Sequence, residues 1–208
     1  MRGPTRDAED YQAALRRIIS ASVQLGERVA ELLQLARDDA EQSVFNLAPC
    51  ALIDVVTAAL HKAEAIAAYR NVSMVLTQNL TSDITVQADA SRLLQALVIV
   101  LDNAVRYSGR SAAVTVSTRS GDGVASLIIE DQGIGIAADE FEHLFERHYR
   151  GGRARAMRPD GVGLGLVIAR AIIAAHHGEI EVHDNQPCGT RVCITLPLAA
   201  NEQATELR

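Results

Sequence analysis

A carboxylate followed by two glycines is the first feature of this 208-residue sequence that suggests ligand binding. The segment Asp131-Gln132-Gly133-Ile134-Gly135 follows a predicted strand that ends at Glu130. Glycines allow the backbone to turn tightly beside a bound group, and a carboxylate at a strand end can accept a hydrogen bond from an exocyclic amine such as that of adenine. Taken alone, the segment is also consistent with a turn that carries a solvated aspartate. The G-x-G-x-x-A dinucleotide fingerprint fits it too, but the acidic residue expected about 20 positions later falls among arginines, which argues against that interpretation.

A second glycine cluster, Gly161-Val162-Gly163-Leu164-Gly165, opens a predicted helix. Closely spaced backbone N–H groups at a helix N-terminus form an anion site, for which phosphate is the natural ligand. A flexible loop before a helix is the alternative. The preceding segment, Arg150 to Pro159, is rich in arginine. Such a segment can close over a polyphosphate, or it can be a solvated linker.

Asn103 is the third candidate, and it lies on a predicted helix that Asp89 caps. Arg92, Ile99, Asn103 and Arg106 are spaced to share one face of this helix, opposite its apolar stripe. The amide oxygen of Asn103 is a suitable hard ligand for Mg²⁺ beside substrate phosphates. Without phosphates nearby, an asparagine at such a position is simply exposed.

The scaffold that must position these residues is predicted from the hydrophobic pattern. Helices are expected at residues 50–69, with Pro49 in the first turn, from Asp89 to about residue 105, and at about 138–147 and 164–176. Strands are expected at 73–78, 83–87, 112–118, 125–129, 179–183 and 190–196, with a turn at Gly121-Asp122-Gly123. This order predicts a two-layer α/β sandwich, with helices on one side of a mixed sheet.

An α-helical arm is predicted to precede the sandwich. Its apolar positions alternate three and four residues apart, which is typical of a coiled-coil or bundle seam: Leu15, Ile18, Ser22, Leu25, Val29, Leu32 and Ala36. A single helix cannot bury such a stripe, so a second helix from this chain or another copy is expected. The predicted domains are therefore a helical arm (1–43), the α/β domain (44–198) and a C-terminal tail (199–208).

Composition excludes several classes of protein. A hydrophobic content of 48% is enough for a core and excludes disorder as the main interpretation. A net charge of −6 and 3% aromatic residues argue against nucleic-acid binding. We expect no membrane segment and no signal peptide, and hence a soluble cytoplasmic chain or the cytoplasmic part of a membrane-bound sensor. Three cysteines without a C-x-x-C pair favour neither disulfides nor zinc.

The order of the motifs resembles the catalytic domain of sensor histidine kinases over about residues 44–198. The matching segments are Leu101 to Ser108 (N box), Asp131 to Gly135 (G1 box), Phe145 to Arg150 (F box), Gly161 to Gly165 (G2 box) and Gly189-Thr190 (the final G-T motif). The arm segment Val29 to Arg37 is similar to the second helix of the family's dimerisation and phosphoacceptor domain.

The resemblance implies the Bergerat (GHKL) ATP-binding fold and a set of roles. Asn103 would bind Mg²⁺, Asp131 would bind adenine, and Arg150 to Pro159 would be the ATP lid. Catalytic roles are implied for Asn103 and Arg147. Nucleotide contacts are implied for Asn103, Arg106, Tyr107, Asp131, Gly133, Gly135, Arg150, Gly161, Gly163, Leu164, Gly165 and Thr190. The implied partners are a phosphoacceptor histidine domain, a response regulator and a second copy bound through the N-terminal helix.

Two departures from the family pattern leave the implied reaction open. Ile99 stands where the N box usually carries a polar residue, four positions before Asn103, and no H box is present, since the first histidine is His61. Transfer of the γ-phosphoryl group of Mg-ATP to a histidine outside this chain is the leading interpretation. The alternatives are a degenerate nucleotide-binding regulatory or dimerisation module without kinase activity, and a protein-serine kinase of the anti-sigma-factor type, against which the arm argues.

Overall fold

The computed structural model describes residues 45–77, 84–159 and 161–199. The predicted helical arm (1–43) and its apolar seam lie outside the described residues, as do the ends of the strands predicted at 73–78 and 83–87 and all but the first residue of the predicted tail.

The described part of the chain contains β-strands, α-helices and one 3₁₀ helix. The strands are β1 (Ala48–Ala51), β2 (Ser73–Leu76), β3 (Thr85–Ala88), β4 (Ala113–Gly121), β5 (Val124–Glu130), β6 (Glu179–Asp184) and β7 (Thr190–Pro197). The helices are α1 (Leu52–Arg70), α2 (Ala90–Tyr107), α3 (Gly152–Met157) and α4 (Gly165–Ala175), with a 3₁₀ helix at Ala138–His143.

Five strands form a mixed sheet in the order β2-β4-β5-β7-β6. β2 runs parallel to β4, and the other neighbours are antiparallel. The turn between β4 and β5 has positive φ at both Asp122 and Gly123, as a two-residue hairpin of the I′ kind requires. β1 and β3 form a separate antiparallel pair, which meets the chain after β7 through a bridge between Val86 and Leu198.

The hydrophobic core lies between the helices and one face of the sheet. Along β5 the alternate residues Ala125, Leu127 and Ile129 are buried, as the period of a strand with one covered face requires. These residues share one cluster with apolar side chains from α1, α2 and α4. The predicted two-layer α/β sandwich is therefore confirmed.

The start of α2 is held by two side chains. Asp89 Oδ1 accepts hydrogen bonds from the backbone N–H groups of Ser91 and Arg92, each at 3.1 Å, which confirms the predicted cap. The ring of His176, buried at the end of α4, lies 2.7 Å through Nδ1 from Ile172 O, and its Nε2 accepts a hydrogen bond from the Asp89 N–H at 3.0 Å. These contacts connect the beginning of the helix that carries Asn103 to the end of α4.

Two local predictions were wrong. Pro49 belongs to β1, opposite Gln87, and not to a first helical turn, because a two-stranded ribbon leaves an edge where a missing N–H is tolerated. The helix expected at 138–147 is only the 3₁₀ helix Ala138–His143. In addition, the arginine-rich segment contains the short helix α3, which was not predicted because the sequence shows no apolar face there.

Candidate active site

Asp131 directly follows β5, beside the first residue of β7. Its Oδ1 accepts hydrogen bonds from the N–H groups of Gly133 (2.8 Å) and Thr190 (3.1 Å). Its own N–H donates to the carbonyl oxygen of Thr190 at 2.9 Å. Pairing of the two strands thus brings together the carboxylate and the threonine that the sequence predicted as nucleotide contacts.

Burial changes the acidity of this carboxyl group. Asp131 is 5% exposed. Loss of hydration raises the pKa of Asp131 from its ordinary value of 3.8 to about 6, against the opposing effect of the hydrogen bonds from Gly133 and Thr190. A desolvated carboxylate of this kind gains more than an exposed one from an additional hydrogen-bond donor.

Two glycines near Asp131 have no room for a side chain. A Cβ on Gly133 would lie 2.4 Å from the Tyr107 carbonyl oxygen, and the next N–H, from Ile134, donates to the same oxygen at 3.1 Å. A Cβ on Gly189, where φ is +110°, would lie 1.9 Å from the Asp131 carbonyl oxygen. Both predicted glycine motifs around the carboxylate are therefore required by close backbone approach.

The second glycine cluster meets α2 at the beginning of α4. A Cβ on Gly165 would lie 3.2 Å from Ile99 Cγ2 and 3.8 Å from Asn103 Nδ2. Leu164, at the N-cap of α4, supplies no side-chain hydrogen bond to the first turn. The structure therefore brings Asn103 next to the helix N-terminus that the sequence predicted as a phosphate site.

Arg106 and Tyr107 complete the C-terminal end of α2. The Arg106 guanidinium forms an ion pair with Asp102 one turn earlier. The backbone carbonyl oxygen of Arg106 accepts a hydrogen bond from the Arg70 guanidinium. Tyr107 contributes its carbonyl oxygen to the segment Gly133-Ile134, as described above. Arg106 is thus half-buried on the helix that carries Asn103, with its charge balanced in this structure.

Arg150 braces the arginine-rich segment. Its guanidinium donates hydrogen bonds to the carbonyl oxygens of Pro159 (3.0 Å), Ala154 (3.2 Å) and Arg158. It also fills the space where Gly161 would carry a side chain. In this structure Arg150 therefore acts on the conformation of the predicted lid, and its donors are directed at carbonyl groups.

The same segment is tied to the rest of the site at two points. Arg153 Nη1 donates to the Ile134 carbonyl oxygen at 2.9 Å, and it lies 3.9 Å from the place of a Cβ on Gly135. Glu140 Oε1 accepts a hydrogen bond from the Gly152 N–H at 2.7 Å. The segment consequently lies across the loop after Asp131.

Other predicted residues lie around this centre. Gly163 has a φ of +76°, and a Cβ there would lie 2.7 Å from the Tyr149 carbonyl oxygen, so the second glycine cluster packs on the F box. Phe145 contacts the core, and the Arg170 guanidinium of α4 lies 5.0 Å above its ring. Arg147 is exposed in the segment after the 3₁₀ helix.

Asn185 and Glu140 were not among the predicted site residues, and Arg153 was expected only as part of the lid segment Arg150 to Pro159. Asn185 Nδ2 donates to the Asp131 carbonyl oxygen at 2.9 Å, across 54 positions of sequence. Contacts of this kind depend on where two distant loops meet, and no spacing or composition in the sequence indicates them.

Comparison with known proteins identifies the family. Residues 88–200, more than half of the chain, match the family model described as histidine kinase-, DNA gyrase B-, and HSP90-like ATPase. The chain belongs to this family. Residues 88–200 are thus an ATPase-type domain of this family.

Named relatives narrow the class to sensor histidine kinases. The sensor-like histidine kinase SenX3 of Mycobacterium tuberculosis is 30% identical over 191 residues, which cover 92% of this chain and 46% of that protein. The solved mycobacterial sensor histidine kinase MprB is 34% identical, covering 73% of this chain and 98% of that one, with a TM-score of 0.63. Full-length ShkA in complex with AMPPNP is 25% identical, covering 95% and 40% of the two chains, with a TM-score of 0.71.

These comparisons confirm the predicted resemblance and fold. The chain carries the catalytic domain of the sensor histidine kinase class, and it spans less than half the length of SenX3. SenX3 and MprB are both named as histidine kinases, so they give no support to the degenerate alternative. Among the described residues, no helix is both long and apolar enough to cross a bilayer.

Proposed function

We propose that this chain binds ATP at Asp131 and the two glycine clusters and transfers its γ-phosphoryl group to a histidine on a separate phosphoacceptor domain. The observation that carries the proposal is the buried Asp131 carboxylate, held in place by backbone donors at the end of a central strand. Family membership supports the ATP part of the proposal.

Asp131 has the capacity to accept one more hydrogen bond. The N–H groups of Gly133 and Thr190 and the Thr190 hydroxyl supply three donors. A carboxylate offers about four acceptor positions on its two oxygens. The exocyclic amine of adenine is a donor that fits the remaining position, whereas the carbonyl group of guanine at the same place would repel it.

The N-terminus of α4 and the side chain of Asn103 fit a triphosphate and its cation. The first-turn N–H groups of α4 lack a side-chain acceptor at Leu164, and at Gly165 the helix packs closely against Ile99 and Asn103 of α2. Asn103, beside Gly165, would hold Mg²⁺ through its amide oxygen, and the cation would neutralise charge on the transferred phosphoryl group. Arg147, exposed on the segment before the lid, is the proposed additional catalytic residue.

The position of Ile99 favours a second candidate function, the degenerate nucleotide-binding module without kinase activity. Its side chain packs on the core and lies against Gly165, at the phosphate end of the site. An alkyl group there cannot orient a water molecule or assist a cation. Nucleotide binding would persist without phosphoryl transfer if a polar group at this position were necessary.

Isothermal titration calorimetry with ATP and ADP tests the binding half of the proposal. We expect ATP to bind in the presence of Mg²⁺ and to bind more weakly when EDTA removes the cation. The variant Asn103→Ala should bind ATP with less dependence on Mg²⁺ than the native chain. The absence of binding at millimolar nucleotide would reject the proposal.

Radiolabel transfer tests the catalytic half. The chain, [γ-³²P]ATP and a separately supplied phosphoacceptor domain are incubated at saturating ATP, with the chain lacking Asn103 (Asn103→Ala) as the control. We expect label on the added domain only with the native chain. Binding without any transfer would favour the regulatory module over the kinase.

Partners and organisation are further parts of the proposal. The arm (1–43) would associate with a second copy through its seam, and along the chain it precedes the catalytic domain (44–198) and the tail (199–208). In analytical ultracentrifugation we expect a dimer that Leu25→Glu dissociates, and a strictly monomeric native chain at high concentration would contradict this. A response regulator would accept the phosphoryl group from the histidine, and the chain would work in the cytoplasm, on its own or as part of a membrane-bound sensor.

A further inference from the structure

The loop between β6 and β7 folds back onto Asp131. Asn185 is half-buried in this loop, although both of its neighbours, Asp184 and Gln186, are exposed. Its N–H donates to the Gly189 carbonyl oxygen at 3.2 Å, which closes the loop. Its side chain donates through Nδ2 to the Asp131 carbonyl oxygen at 2.9 Å. Asn185 is therefore turned inward, toward the residue at the centre of the site.

The orientation of the Asn185 amide is determined by its partner. The Asp131 carbonyl oxygen can only accept, so the NH₂ group and not the amide oxygen must face it. Gly189 packs against the same carbonyl oxygen, where no Cβ would fit. The carbonyl of Asp131 is thus enclosed by one directed donor and one close backbone contact.

The N–H and the carboxylate of Asp131 are held by Thr190, the first residue of β7, and by Gly133, in the turn that follows Asp131. Its N–H is bonded to the Thr190 carbonyl, and its Oδ1 to the N–H groups of Thr190 and Gly133. Asn185 adds the hydrogen bond that restrains rotation of the peptide between Asp131 and Gln132. That rotation would move the carboxylate and the Gly133 donor relative to each other.

We propose that Asn185 is a positioning residue that aims the Asp131 carboxylate at the exocyclic amine of the nucleobase and thereby sets the preference for adenine. The inference rests on the proposed adenine contact of Asp131. Asn185 itself would not touch the nucleotide, and its effect would be confined to the part of the binding free energy that depends on the amine.

The experiment compares two nucleotides that differ only in the amine. Binding of ATP and of purine riboside 5′-triphosphate, which lacks the 6-amino group, is measured by calorimetry for the full chain and for Asn185→Ala. The native chain should prefer ATP by about 10- to 100-fold, as expected of a hydrogen bond to a charged acceptor. In Asn185→Ala this ratio should fall by about 2- to 10-fold, while binding of the analogue stays unchanged.

Two further variants separate positioning from folding. Asn185→Asp keeps the size of the side chain but places an oxygen against the Asp131 carbonyl, so the ratio should fall at least as far as in Asn185→Ala. Gln186→Ala removes the neighbouring exposed amide, whose hydrogen bond goes to Asp184, and should leave the ratio as it is in the native chain. Thermal unfolding of each variant establishes that it is folded.

The outcomes separate the inference from the proposal on which it depends. A smaller ratio in both Asn185 variants, with native binding of the analogue, supports the positioning role. Equal weakening of both nucleotides, or a ratio unchanged in both variants, overturns it while leaving the adenine contact in place. A native chain that binds both nucleotides equally overturns the adenine contact itself, and the role of Asn185 with it.

Discussion

Replacing Asp131 by asparagine is expected to change stability and nucleotide binding in opposite directions. Asparagine keeps an Oδ1 acceptor for the N–H groups of Gly133 and Thr190 but removes the buried charge. A pKa raised from 3.8 to about 6 corresponds, at about 1.4 kcal/mol per pKa unit, to about 3 kcal/mol by which the ionised carboxylate destabilises the folded state at pH 7. Asp131→Asn should therefore raise the free energy of unfolding by about 1 to 3 kcal/mol, the lower value allowing for imperfect hydrogen bonding of the new NH₂ group.

The same substitution should weaken ATP binding by about 10- to 100-fold, because the charged acceptor for the amine is lost. Asp131 would then be a residue whose desolvation destabilises the free protein and serves recognition of the nucleotide. The expected combination of a higher free energy of unfolding and a lower affinity for ATP distinguishes this explanation from general disruption of the site. General disruption would lower both the free energy of unfolding and the affinity.

The pH dependence of stability has a definite sign. The folded protein binds the Asp131 proton more tightly than the unfolded chain does. The contribution of Asp131 to the free energy of unfolding therefore falls as pH rises from 3.8 to about 6. Asp131→Asn lacks this component. The stability difference between the two proteins should consequently be small below pH 4 and should reach its full value above pH 6.

Urea unfolding followed by circular dichroism measures these differences, since the sequence contains no tryptophan. The matched control is Asp122→Asn, which makes the same chemical change on an exposed carboxylate in the β4–β5 turn. Asp122→Asn should change neither the affinity for ATP nor the pH dependence of the free energy of unfolding between pH 4 and pH 6. A less stable Asp131→Asn at pH 7, or a stability difference that does not vary between pH 4 and pH 6, would refute the reasoning.

Three further substitutions test other parts of the site. Ile99→Asn should raise the rate of radiolabel transfer to a supplied phosphoacceptor domain and leave ATP affinity within about twofold, since the residue lies at the phosphate end; equal rates would show that Ile99 is a neutral variation. Gly189→Ala should lower the free energy of unfolding by at least about 3 kcal/mol in urea, because its Cβ would lie 1.9 Å from the Asp131 carbonyl oxygen at a φ of +110°. Arg153→Ala should make nucleotide dissociation about 2- to 10-fold faster in stopped-flow displacement, because the bond from the lid to the Ile134 carbonyl is lost; an unchanged rate would exclude this bond as a restraint on the lid.

The elements of the fold were largely predictable because their signals are local. The cap at Asp89, the hairpin turn at Asp122-Gly123 and the strand at 125–129 each depend on a few adjacent residues, and the structure confirms all three. The error at Pro49 occurs where the short strand β1 is stabilised by pairing with β3, a partner distant in sequence. The pattern of neighbouring residues does not indicate such a partner.

The motif residues of the site were predictable in type but not in contact. Sequence order and family resemblance led to Asp131, Asn103 and both glycine clusters, and the structure places Asn103 against Gly165 and Asp131 against Thr190. The role of Arg150 was expected to be contact with nucleotide, whereas its donors are taken by the carbonyl groups of the lid in this structure.

By itself, the sequence determined the types of side chain proposed to bind adenine, phosphate and a cation, and the order of most of the strands and helices that carry them. Only the tertiary structure decided that Asp131 is desolvated, that Asn185 holds its carbonyl group and that Arg153 lies across the loop beside it. The physical reason is that burial and hydrogen-bond geometry depend on packing between segments tens of residues apart, whereas residue type and periodicity are properties of the local chain.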